Sequence, residues 1–141
     1  MSVYEVPEND WAAFCRRTSE RQRGERVTLR AIDHSRRSEV HLLAEAAELE
    51  DLALVGGGRS LALEVQVAGD GCHDRWLIRE PQRVRLEQHG ELAPARIRVD
   101  AEKGTVELCF ATPLVPGSLN GTTNEEKRSV RHASHAGKRE A

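Results

Sequence analysis

The residues best equipped for chemistry stand together in a glycine-flanked turn, Gly69-Asp70-Gly71-Cys72-His73-Asp74. A thiol, an imidazole and a carboxylate in succession offer a nucleophile with its base, or donors to a metal ion. Either chemistry needs more than adjacency in the chain. No Gly-x-Ser-x-Gly elbow occurs, and neither Cys15 nor Cys109 has a histidine in a local signature. His34, His41 and His89 are scattered without Cys-x-x-Cys or His-x-x-x-His spacing. The expectation is therefore no catalytic residue, no bound metal and no cofactor, with an enzyme built on Cys72-His73-Asp74 as the outlying alternative.

A second group of residues carries charge. Alternation along strands puts Trp76 and Ile78, Val84 and Leu86, and Ile97 and Val99 toward a core. Arg75, Arg79, Arg83, Arg85, Arg96 and Arg98 then face outward. Guanidiniums on one sheet face could receive an acidic protein or a nucleic-acid backbone. Glu64, Glu80, Glu87 and Glu107 fall among them, however, and cross-strand pairing would neutralise the face. A solvated, self-neutralised surface is the plainer reading, and no aromatic platform is available for base stacking.

Phosphate chemistry has little support. Gly56-Gly57-Gly58-Arg59-Ser60 leads into a strand, so no helix N-terminus is available to hold an anion. Arg17-x-x-x-Arg21 followed by Asp33-His34-Ser35 resembles, faintly, the cyclic-dinucleotide motif of PilZ-type domains. The glycine expected after Asp-x-Ser is Ser38 here, and the arginine pair lies within a predicted helix.

These side chains are positioned by one helix and a series of short strands. Pro7-Glu8-Asn9-Asp10 reads as a helix start, with carboxylates at the positive end of the dipole. Trp11, Phe14, Cys15 and Thr18 follow as a single stripe, and Gly24 suits a left-handed terminus. Cys15 on that stripe should be a buried small hydrophobe, whereas Cys109 falls on the polar side of its strand. Ser60 to Val67 alternates Leu61, Leu63, Val65 and Val67 against polar or small residues, and is expected to be a central strand. Glu25 to Ile32 and Glu39 to Ala44 are further strands, the second with Val40 and Leu42 turned inward. Glu45 to Asp51 suits a helical turn by composition, and Leu52 to Val55 a short strand. Strands over Arg75–Arg79 and Arg83–Glu87 come next. Ala95–Val99 and Thr105–Ala111 form a hairpin, with Ile97 and Val99 opposing Val106, Leu108 and Phe110.

Composition sets the outer limits. The 141 residues suit one domain, and the 4% aromatic share demands an aliphatic core. Net charge is −2 despite 31% charged residues, so no global field steers polyanions or membranes. Three widely spaced cysteines, an acidic start without an apolar run, and no span of membrane length lead to the expectation of a cytoplasmic protein. From Pro116 onward Leu119 and Val130 are the only sizeable aliphatics. Residues 116–141 are thus expected to be a disordered polar tail behind a single globular domain over residues 1–115.

The apolar framework resembles a small bacterial family of unknown function. The resemblance rests on Val6-Pro7-x-x-x-Trp11-x-x-Phe14, on Gly24-x-x-Val27 and on Trp76-Leu77-Ile78-x-x-Pro81-x-x-Val84, with the hairpin ending Val106-x-Leu108-x-Phe110. It covers roughly Val6 to Leu114 and implies a fold, with no activity to carry onto any residue. His73 stands three residues before Trp76, a departure from the histidine that members place just ahead of their Ile-x-x-Pro segment.

The expected fold is α+β: an N-terminal helix packed on a bent antiparallel sheet, or small open barrel, of about six strands. The expected function is a non-enzymatic interaction or adaptor domain, binding a protein partner or another copy of itself and no membrane. The alternative is a nucleic-acid or nucleotide-binding module using the arginine face.

Overall fold

Residues 2–34, 39–90 and 94–111 are described by the computed structural model. Within them a single helix, α1 (Trp11–Gln22), meets eight strands: β1 (Ser2–Val6), β2 (Arg26–Asp33), β3 (Glu39–Val55), β4 (Ala62–Gly69), β5 (Cys72–Arg79), β6 (Pro81–Gln88), β7 (Ala95–Ala101) and β8 (Gly104–Phe110). They form one open antiparallel sheet in the order β1-β6-β7-β8-β2-β3-β4-β5. The α+β class holds in outline, with eight strands rather than about six. The stretch from Pro116 onward lies outside the described residues. No helix among them is long and apolar enough to cross a membrane.

The helix is the element the sequence specifies best. Pro7 is extended, Glu8–Asp10 make a single 3-10 turn, and α1 begins at Trp11. Trp11, Phe14, Cys15 and Thr18 are all buried, as their spacing requires. The Trp11 indole Nε1–H donates to the Val6 carbonyl at 3.0 Å, tying helix to β1. Ser19, one turn beyond Cys15, is buried as well, and its Oγ accepts from the Leu52 amide at 2.7 Å. Gly24 then turns the chain at φ +89°, with its amide bonded to the Leu49 carbonyl at 2.8 Å. The helix is fastened in this way to the second half of β3.

That strand departs most from the expectation. A single strand of 17 residues replaces the short strand, helical turn and short strand read from the sequence. Its pairing shifts register three times, between Val27 and Leu29, between Leu29 and Arg30, and between Leu49 and Asp51. Ala46 sits at one shift with φ +49°. Its amide is held by Thr28 Oγ1 at 3.0 Å and its carbonyl by Arg26 Nη1 at 2.9 Å. Each extra residue moves the following side chains to the opposite face and adds twist. Hence Ala44 faces Leu29; Val40 and Leu42, expected inside, pair instead with Ile32 and Arg30 on the outer face of β2 and are 55% and 56% exposed. The first half of β3 pairs with β2 and the second half with β4, so one strand carries the sheet around the core.

Leu63, Val65 and Val67 of β4 are fully buried, in agreement with their alternation. The strand is not central, however, since only β5 lies beyond it, and β8 and β2 occupy the middle of the order. β1 escapes the sequence reading because its five residues bury only Val6. The hairpin of β7 and β8 has the expected register, Ile97 opposite Leu108 and Val99 opposite Val106. The sheet curls far enough for β5 to pass into β6 through Glu80 alone, although the two strands lie six places apart in the order.

Candidate interaction face and cleft

Register on the outer side of β6, β7, β8 and β2 places charged residues in rows across the strands. Glu5, Arg85, Arg98, Glu107, Arg30 and Leu42 stand opposite one another in succession from β1 to β3. A flanking row runs Glu87, Arg96, Cys109, Thr28, and the other runs Arg83, Asp100, Thr105, Ile32, Val40. Two arginines, Arg85 and Arg98, are thus direct cross-strand neighbours, an arrangement that repels unless carboxylates intervene.

They do intervene. Arg85 pairs with Asp100 at 2.7 Å, Arg96 with Glu87 at 3.0 Å, and Arg30 with Glu107 at 2.7 Å. Glu107 also receives Arg98 at 3.3 Å and Arg96 at 3.6 Å, and its side chain is only 4% exposed beneath them. Arg83 pairs with Glu5 across β6 and β1 at 3.2 Å. Burial pushes the Asp100 carboxyl up, but the Thr105 hydroxyl and the Arg85 and Arg98 guanidiniums outweigh it and hold Asp100 below the usual carboxylate range. The Cys109 thiol goes the other way: burial raises it despite the opposing charge of Arg30. Among these groups the Nε atoms of Arg30, Arg85 and Arg98 are buried without a hydrogen-bond partner.

The six arginines expected on one face are therefore divided. Arg83, Arg85, Arg96 and Arg98 share the lattice just described. Arg75 and Arg79 lie on β5 at the far edge of the sheet, where Arg75 pairs with Glu64 at 3.1 Å. The turn Cys72-His73-Asp74 opens β5, and consecutive strand residues point to opposite faces. Cys72 is exposed, and His73 Nδ1 lies 2.8 Å from Glu50 Oε2 at a register shift of β3, so the three side chains do not converge. Among the described residues no group of three or more His, Cys, Asp or Glu side chains is placed to hold a metal ion.

A cleft of about 990 Å³ opens where the ends of β2, β5 and β7 meet the starts of β3 and β8. Its lining includes His34 and His41, the cations Arg59, Arg79 and Lys103, and the apolar side chains of Leu61, Leu77, Ile78 and Val106. His34 is oriented from behind. Thr105 Oγ1 donates to Asp100 Oδ1 at 2.8 Å, and one hydroxyl has a single proton to give. The 2.8 Å contact between His34 Nε2 and Thr105 must then run from the imidazole N–H to the hydroxyl oxygen. His34 is thereby held as the Nε2–H form or as the imidazolium. The Glu102 carboxyl, also in the lining, is raised by its hydrogen bond to Glu80 and by the charge of that neighbour.

Sequence reasoning finds four members of the lattice and the carboxylates Glu87 and Glu107, and misses Arg30, Asp100 and Thr105. Alternation along each strand was a sufficient signal for their facing, but only the strand order brings β2 beside β8. The two cleft histidines read as scattered because they stand seven positions apart, one just past β2 and one on β3, a spacing that matches no ligand or catalytic motif. Comparison with family models, with curated proteins and with solved structures finds no match.

Proposed function

We propose that the chain is a small non-enzymatic interaction domain, and that the outer face of β6, β7, β8, β2 and β3 docks a protein partner. One observation carries this reading: the ion-paired rows end on exposed aliphatic side chains, Leu42 beyond Arg30 and Val40 beyond Ile32. Arginine held in an ordered fork beside exposed apolar surface suits a protein interface, where arginine and apolar anchors are enriched. The same pairing weakens the alternative of a nucleic-acid surface. Every guanidinium of the lattice already has a carboxylate within 4 Å, so few counterions would be released from a polyanion.

The test is a comparison of two variants. Leu42→Asp, at an exposed position, leaves stability within about 0.5 kcal/mol and abolishes cross-linking to a partner that the wild-type chain captures from its native cell. Arg83→Glu combined with Arg96→Glu serves the alternative. Micromolar, salt-sensitive binding of RNA or DNA by the wild type, lost in that double variant, would overturn the proposal.

A further inference from the structure

The guanidiniums of the outer lattice are all engaged, whereas Arg59 and Arg79 form no ion pair or hydrogen bond among the described residues, and both border the cleft. They reach it from different elements. Arg79 ends β5, and Arg59 lies in the 3-10 turn Gly58–Ser60 between β3 and β4. That turn is fixed by its own backbone. Gly56 enters it at φ +75°, where a Cβ would run into the Ser60 carbonyl, and Ser60 Oγ donates to the Gly57 carbonyl at 2.8 Å. Neither arginine is within ion-pair distance of the lining carboxylates Asp33, Glu80 and Glu102, and Lys103 adds a third cation to the rim. Below the cations the lining is aliphatic. Leu61 and Val106 are packed against the core and Ile78 belongs to it.

We propose that this cleft binds a small amphipathic anion, an aliphatic carboxylate being the simplest, with its charged end between Arg59 and Arg79 and its chain on Leu61, Leu77 and Ile78. The volume falls within the 300–1,000 Å³ usual for small-molecule sites, and a largely apolar lining with a few convergent polar groups is their common makeup. A bidentate guanidinium suits a planar carboxylate. The oriented imidazole of His34 supplies a further polar group at the same wall. No Phe, Tyr or Trp side chain stands among the described lining residues, so the cleft lacks the large ring platform on which nucleobases commonly stack. This site is separate from the outer face, and the inference stands whether or not that face docks a partner.

The experiment is isothermal titration of the full chain with decanoate, decanol and inorganic phosphate. Decanoate is expected to bind at one site, with decanol and phosphate each at least tenfold weaker. Arg59→Glu and Arg79→Glu, both at exposed positions, should each weaken decanoate at least tenfold while melting as the wild type does. Leu77→Asp should weaken decanoate without improving phosphate. The inference is overturned if decanoate fails to bind at millimolar concentration, if it binds the two arginine variants as well as the wild type, or if phosphate alone matches it.

Discussion

Arg98 and Glu107 face each other across β7 and β8, and the Glu107 carboxylate, nearly closed off from water, accepts Arg30 and Arg96 as well. One anion thus holds three cations that would otherwise repel. Removing it leaves Arg30 without a carboxylate among the described residues and the mutual repulsion of the three less screened, although Arg96 keeps Glu87 and Arg98 keeps Asp100. Breaking a fully buried pair costs about 3–5 kcal/mol, but Arg30, Arg96 and Arg98 retain 39%, 32% and 31% side-chain exposure and water screens part of the effect. Glu107→Gln should cost about 2 kcal/mol in urea unfolding, and Arg98→Met added to it should cost less than the sum. A loss below about 0.5 kcal/mol would make the lattice decorative.

Asp100 gives the lattice a pH signature. Its carboxyl is lowered in the folded chain, so its contribution to stability is fully present above the unfolded value of about 3.9. That contribution is lost as pH falls from there through the folded value. Asp100→Asn should therefore be less stable than the wild type at neutral pH, and the two should converge below about pH 4. Parallel stability curves across that window would contradict the assignment.

Trp11 is 3% exposed and has its indole N–H on the Val6 carbonyl. Trp11→Ala should cost about 3–5 kcal/mol, much of the stability of a small domain. Trp11→Phe separates the two contributions, because it keeps most of the buried area and orphans a carbonyl, at about 1–3 kcal/mol. Thermal melts of both variants check this, and an unchanged midpoint for Trp11→Ala would remove α1 from the core.

The thiols should react in a fixed order. Cys72 is exposed, Cys109 is half-buried and raised by burial, and Cys15 is pushed up to about 12 by burial and the nearby charge of Asp51. Reaction follows the thiolate and its access. Native protein at pH 8 should take up one equivalent of iodoacetamide, at Cys72, and Cys72→Ser should take up almost none. Rapid labelling of Cys15 in the folded chain would contradict its burial.

The helix was legible residue by residue because Trp11, Phe14, Cys15 and Thr18 obey one period without interruption. The strands over β4, β6, β7 and β8 were legible for the same reason, with a period of two. β3 was not, since a residue added at a register shift inverts every assignment after it, and nothing in Ala44-Glu45-Ala46-Ala47 announces where that happens. Val40 and Leu42 were misplaced because their apolar character suggested an inward row, whereas they pair with Ile32 and Arg30 on the outer face of β2. The arginine face was half legible: each strand gave its own facing, but the neighbours of β8 depend on a strand 77 residues away, as the Arg30–Glu107 bond shows. The cleft gathers the ends of strands remote in sequence and leaves no local pattern.

The pairing of β1 with β6, Ser2 opposite Gln88 and Val6 opposite Val84, has a consequence during synthesis. β1 leaves the ribosome well ahead of β6 and has no partner until β6 follows it. At about 5–20 residues per second that wait lasts on the order of 4–16 s, during which Val3 and Tyr4 belong to an unpaired strand. β6 emerges ahead of β7 and β8, so β1 can join it before the later hairpin is complete. Pairing strands this far apart in the chain closes a long loop, and such contacts slow folding.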